Sequence, residues 1–338
     1  MSLGHGGDLF GIARARGWDW RELLDLSASI NPLGPSPGVR AAIVSALERI
    51  VHYPEPAAPR LTGRLAAQWG LEPRQVLAGN GATELIHFLA RVWPQERVTL
   101  AAPTFSEFHR AWPQAACVRW RDLARWPELG LLVVAQPNNP TGEALPPQEL
   151  RDWLLATTNP VLVDESFLDF TGLPSMLSLA GRRPDLLVLR SLTKFHAMPG
   201  LRVGALAGSA DRMEWLAARR EPWQVNALAE EAALAALDDS GHAARSRELV
   251  DRERAWLLGR LAELPGLHAE PGGVANFLLV RYDGDVAALC EWFLDRRIIL
   301  RDCTGWPGME GAAFRFAIRT REVNERVVEL LREYVCAR

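Results

Sequence analysis

The sequence has almost no lysine. Of its 38 basic residues only Lys194 is a lysine, and all the others are arginines. Arginine can supply positive charge at most surface positions, but its guanidinium stays protonated in proteins and does not attack a carbonyl. An amine can lose its proton and form a Schiff base. A lysine kept in such a chain is therefore a candidate for covalent chemistry, and the alternative is that it remains by chance on a solvated face.

Several other features are missing as well. No apolar run approaches the length of a membrane span, and the N-terminus has no basic start followed by an apolar stretch. The net charge is −3 without a block of arginines, which argues against nucleic acid and membrane surfaces as partners. The four cysteines are scattered without metal-ligand spacing. We expect a cytoplasmic protein that binds no metal, nucleic acid or membrane.

Short apolar runs alternate with polar, helical stretches between about positions 75 and 208. These runs are apolar throughout, as expected for strands covered on both faces of a largely parallel sheet. The pattern and the length of 338 residues predict a large α/β domain with room for a smaller one. The runs occupy positions 98–101, 131–135, 161–163, 186–189 and 203–206.

The pattern becomes helical after about position 222. Residues 243–264 predict one long, charged helix, and a later strand at 314–318 precedes an amphipathic terminal helix. We predict a large domain of residues 30–243. The smaller α+β domain would combine both ends of the chain, residues 1–29 and 244–338.

Polar and turn residues follow the predicted strands, where ligands bind in sheets of this kind. Lys194 lies in a Ser/Thr-flanked turn after the run 186–189. The segment 79–84, Gly-Asn-Gly-Ala-Thr-Glu, follows a strand and opens a helix, so its N–H groups can hold a phosphate. Asp164 ends another run, and Arg202 stands eight residues after Lys194. Together these groups meet the needs of pyridoxal phosphate: an amine, an acid for the ring nitrogen and a phosphate cradle.

The order and spacing of these motifs resembles the fold type I pyridoxal-phosphate enzymes, the aspartate-aminotransferase superfamily. The matching features are Asn-Pro-Thr-Gly at 139–142, then Asp164, then Ser191-x-x-Lys194, then Arg202. The resemblance extends from about residue 5 to the C-terminus. It implies a large, mostly parallel sheet domain, a smaller α+β domain and the cofactor pyridoxal 5'-phosphate.

The resemblance also implies roles for individual residues around the cofactor. Lys194 would bind the aldehyde, and Asp164 would pair with the pyridine nitrogen. Asn139 would donate a hydrogen bond to the ring hydroxyl oxygen, and Phe105 would stack on the ring. The residues around the cofactor phosphate would be Gly81, Ala82, Thr83, Ser191, Thr193 and Arg202.

Other matching positions concern the substrate and a second subunit. Tyr53 matches a tyrosine that reaches the cofactor phosphate of the neighbouring subunit, which implies a homodimer with shared active sites. Arg315 matches the arginine that binds the substrate α-carboxylate. Arg301 lies where related enzymes bind a substrate phosphate, and His5 is a second candidate. For Arg301, the alternative is a surface ion pair with Asp302. For His5, the alternative is that it has no role in the site.

Within the superfamily the chain resembles two groups with phosphorylated substrates, the histidinol-phosphate aminotransferases and the threonine-phosphate decarboxylases of cobalamin biosynthesis. Three stretches favour the decarboxylases: residues 4–8, the loop 26–35 with Asn31 as a substrate-binding candidate, and the lysine segment 191–200. Phe167 also stands where transaminases usually carry Tyr, as in the decarboxylase group. The resemblance implies decarboxylation of L-threonine O-3-phosphate to aminopropanol phosphate. The alternatives are a transaminase like the first group and a non-catalytic binding protein.

Overall fold

The computed structural model describes residues 6–93, 97–122, 126 and 130–336. These residues contain thirteen strands and thirteen α-helices. The strands are β1 (Leu24–Asp25), β2 (Val76–Gly79), β3 (Val98–Ala102), β4 (Ala116–Arg119), β5 (Leu131–Ala135), β6 (Val161–Asp164), β7 (Leu186–Ser191), β8 (Gly204–Ala207), β9 (Leu267–Ala269), β10 (Phe277–Tyr282), β11 (Ile298–Ile299), β12 (Arg301–Asp302) and β13 (Ala313–Ala317).

The helices surround these strands and are mostly short. They are α1 (Leu9–Arg16), α2 (Pro37–Ser45), α3 (Pro59–Trp69), α4 (Ala82–Val92), α5 (Ser106–Ala111), α6 (Pro147–Ala156), α7 (Leu177–Ala180), α8 (Leu192–Phe195), α9 (Ala210–Ala217), α10 (Ala227–Asp238), α11 (Ser240–Leu261), α12 (Val286–Asp295) and α13 (Arg321–Cys336). Among the described residues, no helix is both long and apolar enough to span a bilayer.

The largest sheet has seven strands in the order β2-β8-β7-β6-β5-β3-β4. The strands from β7 to β4 are parallel, as the apolar runs predict, so the expected α/β fold class is confirmed. The run at 203–206 also forms a strand, β8, but it is antiparallel to both of its neighbours. The segment that connects β7 to β8 explains this orientation, because residues 192–203 form short turns at the carboxyl end of β7. The chain therefore re-enters the sheet at that same end.

Both faces of the seven-stranded sheet are covered, which explains why its strands are apolar at every position. Because successive side chains of a strand point to opposite faces, neighbours enter different cores. In β6, Leu162 packs in one core with residues of α4, α5 and α9, whereas Val161 and Val163 pack in another with α6 and α7. A third core joins α3 and α10 to β2 and β8.

A second, antiparallel sheet has the order β12-β13-β10-β9 and packs with α11, α12 and α13 around Phe277, Phe314 and Phe316. The helix expected at 243–264 is α11, and the strand expected at 314–318 is β13. Strand β1, near the start of the chain, pairs with β11 in parallel. The domain boundaries stay a prediction, and α11 runs across the one placed between residues 243 and 244.

Candidate active site

A cavity of about 530 Å³ opens at the carboxyl ends of the parallel strands. The seven-stranded sheet provides its floor, and strands β12 and β13 provide the opposite wall. Ten of the residues singled out in the sequence line it: Ala82, Thr83, Phe105, Asn139, Ser191, Thr193, Lys194, Arg202, Arg301 and Arg315. The fold thus brings together residues from opposite parts of the chain.

Lys194 lies on the four-residue helix α8, directly after strand β7. Its Nζ is 5.0 Å from the centre of the Phe167 ring. Burial lowers the pKa of Lys194 to about 8; the charge of Asp164 opposes this shift, and the charge of Arg202 adds to it. A lysine with such a pKa has a substantial fraction of free amine near neutral pH, and the free amine is the form that attacks a carbonyl.

Asp164 is the last residue of β6 and is buried, and it is not among the residues that line the cavity. Its Oδ1 accepts a hydrogen bond from the Ser166 N–H at 2.9 Å. Burial raises the pKa of Asp164, although the Ser166 hydrogen bonds and the charge of Lys194 act in the opposite direction. A cation placed above this carboxyl would stabilise its ionised form, as the nitrogen of a protonated pyridine ring would.

The turn between β2 and α4 forms a cradle. Gly81 has a φ of 83°, a backbone conformation that favours glycine, and a Cβ at this position would displace the Arg202 guanidinium. The first N–H groups of α4 have no partners within the helix. The Glu84 carboxylate, in that first turn, accepts from the Asn80 N–H at 3.1 Å and is paired with the Arg220 guanidinium at 2.6 Å, which offsets its negative charge. The cradle therefore fits a phosphate.

Two hydroxyl groups complete the cradle. The Oγ atom of Ser191 and the Oγ1 atom of Thr193 are 2.9 Å apart, and both residues line the cavity. The Arg202 Nη1 donates to the carbonyl of Pro199 at 3.1 Å, which places the guanidinium between this turn and Gly81. The amine, the buried acid and the phosphate cradle together fit pyridoxal phosphate, the cofactor that the sequence implies.

Arg315, on β13, is buried and bridges the two walls of the cavity. Its Nη1 donates to the Asn139 Oδ1, and its Nη2 donates to the Ser27 carbonyl at 2.8 Å. Burial lowers the pKa of Arg315 to about 10. These partners are neutral, and no carboxylate of the described residues forms an ion pair with it. Its charge is therefore available for an anion in the cavity.

Arg301 lies beside Arg315, because strands β12 and β13 pair these two residues directly. It is buried and lines the cavity rather than lying at the surface. Its guanidinium is 5.0 Å from the centre of the Trp306 ring. Burial lowers the pKa of Arg301, while the neighbouring Cys303 and Asp302 act in the opposite direction.

Three other candidates have different positions. Asn31 does not line the cavity: its side chain is buried behind it, with both donors directed at protein oxygens, Phe195 O and Ser246 Oγ. Both donors of the amide are thus bound within the protein, and a contact of Asn31 with substrate stays a prediction. Tyr53 is 82% exposed and packs against Trp223, away from the cavity of its own subunit. His5 lies outside the described residues.

The cavity also has walls that the sequence did not point out. Trp306 lies in the loop between β12 and β13, and Phe10 lies at the start of α1. Neither belongs to a periodic pattern, so no local signal marked them. Glu107 also lines the cavity, and its carboxylate is bound by His87 at 2.8 Å and by Arg110 at 3.3 Å.

Comparisons with known proteins agree with this site. The family model "Aminotransferase class I and II" matches residues 21–331. A threonine-phosphate decarboxylase of Salmonella typhimurium is 36% identical over 97% of this chain and 95% of its own length. A histidinol-phosphate aminotransferase of Symbiobacterium thermophilum is 34% identical over 92% of this chain and 90% of its own.

A solved structure gives the same result. The L-threonine-O-3-phosphate decarboxylase of Porphyromonas gingivalis has a TM-score of 0.86 and 25% identity, and the match covers 91% of this chain and 98% of that one. The match of the family model over most of the chain and the relatives above 30% identity confirm the superfamily that the motifs indicated. The chain belongs to the aminotransferase class I and II family and is an enzyme.

Proposed function

We propose that this enzyme removes the α-carboxylate of L-threonine O-3-phosphate and releases aminopropanol phosphate, a product used in cobalamin biosynthesis. The observation that carries the proposal is the pair of buried arginines, Arg301 and Arg315, in the same cavity as Lys194. The substrate has two anionic groups on adjacent carbons, and each arginine suits one of them. Arg315 would bind the carboxylate, and Arg301 would bind the phosphate.

The chain uses pyridoxal 5'-phosphate, which, when bound, draws the electrons of the broken bond into its ring. Lys194 would hold the cofactor, the α4 cradle with Arg202 would hold the phosphate, and Asp164 would keep the ring nitrogen protonated. Arg315, itself fixed by Asn139 and Ser27, would hold the substrate carboxylate in the orientation in which its bond to Cα breaks.

Lys194 has a second task after carbon dioxide has left. Its Nζ, which lies in the cavity, would deliver a proton to Cα in place of the carboxylate that has left. Transamination would instead require the same amine to remove the α-proton first. The two reactions therefore differ in the order in which Lys194 takes and gives its proton.

Phe167 supports the decarboxylase. Its ring faces the Lys194 amine and packs edge-on against Phe277 at 4.9 Å, so an apolar surface occupies this place. The tyrosine hydroxyl that contacts the ring oxygen in transaminases has no counterpart there. The second candidate, a histidinol-phosphate aminotransferase, is favoured by relatives such as the one from Symbiobacterium thermophilum.

One pair of assays separates these functions. The purified enzyme is given carboxyl-labelled O-phosphothreonine without an amino acceptor, and labelled carbon dioxide is counted. In parallel, histidinol phosphate and 2-oxoglutarate are supplied, and glutamate is measured. We expect carbon dioxide release to be faster by a wide margin. If glutamate formation is the faster reaction, the decarboxylase proposal is wrong while the cofactor and fold stand.

We also propose that two copies of the chain share their active sites. The support is Tyr53, which is exposed in one subunit together with Val44, Ile50 and Val51 on the neighbouring segment. A second copy would cover this apolar surface and receive the Tyr53 hydroxyl at its cofactor phosphate. Light scattering tests the dimer. The variant Tyr53→Phe should bind the cofactor more weakly but remain a dimer. A monomer in solution would refute the proposal.

A further inference from the structure

The lysine turn, residues 192–198 with the four-residue helix α8 at its start, is short. Its Thr193 carbonyl accepts from the Met198 N–H at 2.9 Å, and its Lys194 carbonyl accepts from the Ala197 N–H at a longer 3.3 Å. Asn31 supplies further hydrogen bonds to the carbonyls of Lys194 and Phe195. Its backbone N–H donates to the Lys194 carbonyl at 3.0 Å, and its side-chain Nδ2 donates to the Phe195 carbonyl at 2.7 Å.

The remaining groups of the Asn31 side chain are engaged as well. Its Nδ2 also donates to the Ser246 Oγ at 2.8 Å, and its Oδ1 accepts from the Leu33 N–H at 3.0 Å. Ser246 belongs to α11 and donates in turn to the His242 carbonyl at 2.7 Å. Asn31 is 1% exposed. The amide thus links the lysine turn to α11 through buried hydrogen bonds.

The segment that leads to Asn31 is fixed from the other wall of the cavity. Arg315 donates to the Ser27 carbonyl, and Arg319 donates to the Asp25 carbonyl at 2.6 Å. The Ala317 N–H, on β13, donates to the Leu26 carbonyl at 2.8 Å. Ser27, whose carbonyl binds Arg315, and Asn31, whose amide binds the lysine turn, are only four positions apart in the sequence.

We propose that Asn31 is a positioning residue for Lys194. The segment 27–31 is then a common support that sets the position of the Lys194 amine relative to the Arg315 guanidinium. This role replaces the substrate contact expected from the sequence, since the amide has no donor left for a ligand. The support serves decarboxylation and transamination alike, so the inference goes beyond the proposed function.

The test uses the cofactor-loaded enzyme and the variant Asn31→Ala. The first readout needs no substrate: it is the pH midpoint of the visible absorption of the bound cofactor, which reports the surroundings of the Lys194 nitrogen. We expect the midpoint to move by roughly half a pH unit or more. With substrate, kcat should fall about tenfold to a hundredfold, because a catalytic group displaced by a fraction of an ångström loses alignment. KM should stay within about twofold of wild type.

Ser246→Ala removes the second acceptor of the Asn31 amide, together with the Ser246 hydrogen bond to the His242 carbonyl, and leaves the Phe195 contact in place. We expect shifts in the same direction but smaller, about threefold in kcat. The matched control is Asp285→Ala, which removes the cap of helix α12, where the Asp285 carboxylate accepts from the Ala288 N–H at 3.0 Å. It should lower thermal stability but leave the midpoint and kcat unchanged.

An unchanged midpoint and kcat in Asn31→Ala would overturn the proposal. A raised KM with unchanged kcat would also overturn it and restore a substrate contact. Equal shifts in Asp285→Ala would show that lost stability alone explains the effect. If Asn31→Ala does not fold, Ser246→Ala decides, and a wild-type midpoint and kcat in that variant refute the role. Because the midpoint is measured without substrate, its outcome is independent of which reaction the enzyme catalyses.

Discussion

Two buried arginines, one in each of the two larger sheets, differ in what neutralises them. Arg190, on the floor, is bound by the carboxylates of Glu165 and Asp169. Burial acts to lower the pKa of Arg190, but these two acids raise it above its ordinary value. Arg315, on the wall, is bound by an amide and a carbonyl oxygen, and its pKa falls to about 10.

This difference distinguishes Arg190, which supports the fold, from Arg315, which is suited to bind an anion. The floor carries its own counter-charges, so Arg190 ties the ends of β6 and β7 together whether or not a ligand is bound. Within the described part of the chain, no carboxylate forms an ion pair with Arg315, and an anion that enters the cavity would compensate its buried charge. A buried cation without a carboxylate costs stability, and it is the one suited to substrate binding.

The largest expected effect is at the floor. Lys194→Arg should abolish turnover because guanidinium stays protonated and cannot bond to the cofactor aldehyde. Wild-type enzyme should be yellow, and borohydride should fix the cofactor to Lys194, the single lysine of the chain. Mass spectrometry of a digest identifies the adduct without ambiguity. Substantial activity in Lys194→Arg would remove the basis of the mechanism.

The comparison itself is tested by replacing each arginine with methionine. Arg190→Met should lower the free energy of unfolding by about 3 kcal/mol because it leaves the buried Glu165 and the half-buried Asp169 without their cation. Arg315→Met should change that free energy by less than about 1 kcal/mol but reduce kcat/KM at least tenfold. Urea unfolding and steady-state kinetics measure the two quantities. Equal losses of stability in both variants would contradict the distinction.

Within the floor, we expect Asp164 to act on the cofactor, whereas Arg190 supports the fold. Asp164→Ala should weaken cofactor binding about tenfold to a hundredfold, as expected for a lost charge-assisted hydrogen bond, and should slow turnover. The measurement is the dissociation constant of the cofactor together with kcat. Asp164→Asn serves as the matched variant that keeps the size of the side chain. Near-normal rates in both variants would mean that the ring acid lies elsewhere.

Buried Lys194 should also make the free energy of unfolding of the cofactor-free protein depend on pH. Folded Lys194 releases its proton near pH 8, whereas the unfolded chain keeps it to about 10.5. The unfolded state then binds more protons in this interval, so the free energy of unfolding rises with pH. Relative to Lys194→Met, wild type should gain about 2 kcal/mol between pH 7.5 and 9.5. A constant difference between the two proteins would show that the lysine is not desolvated.

The smallest expected effect is that of replacing Arg301, on strand β12 of the wall. Arg301→Ala should reduce kcat/KM for O-phosphothreonine roughly tenfold or more, since one charge-assisted contact to the phosphate is lost. Threonine without the phosphate should be a poor substrate for wild type and should be affected little by the substitution. An equal loss with both substrates would assign Arg301 to something other than the phosphate.

The floor was far easier to predict from the sequence than the wall. Asp164 and Lys194 each follow a buried apolar run, so their place at the carboxyl edge of the sheet follows from local sequence. The pairing of Arg301 with Arg315 depends on the register of two strands in another sheet, which no local pattern specifies. The direction of the Asn31 amide depends on contacts across more than 160 positions, which the sequence alone does not specify. The orientation of β8 is not marked by a local pattern either, because it is set by the turns that precede it.

The pairing of β1 with β11 has a consequence for synthesis on the ribosome. Leu24 meets Ile298 in that pair, so the first strand has no partner until most of the chain has been made. By the time Asp238 has emerged, the growing protein already contains Lys194 and the whole seven-stranded sheet, but neither wall arginine. The floor is not complete at that stage, however, because Phe167 and Phe195 pack in the same core as α11 and β13. Newly made chains should therefore acquire the colour of the cofactor and activity together, when the later part of the chain has folded onto the floor.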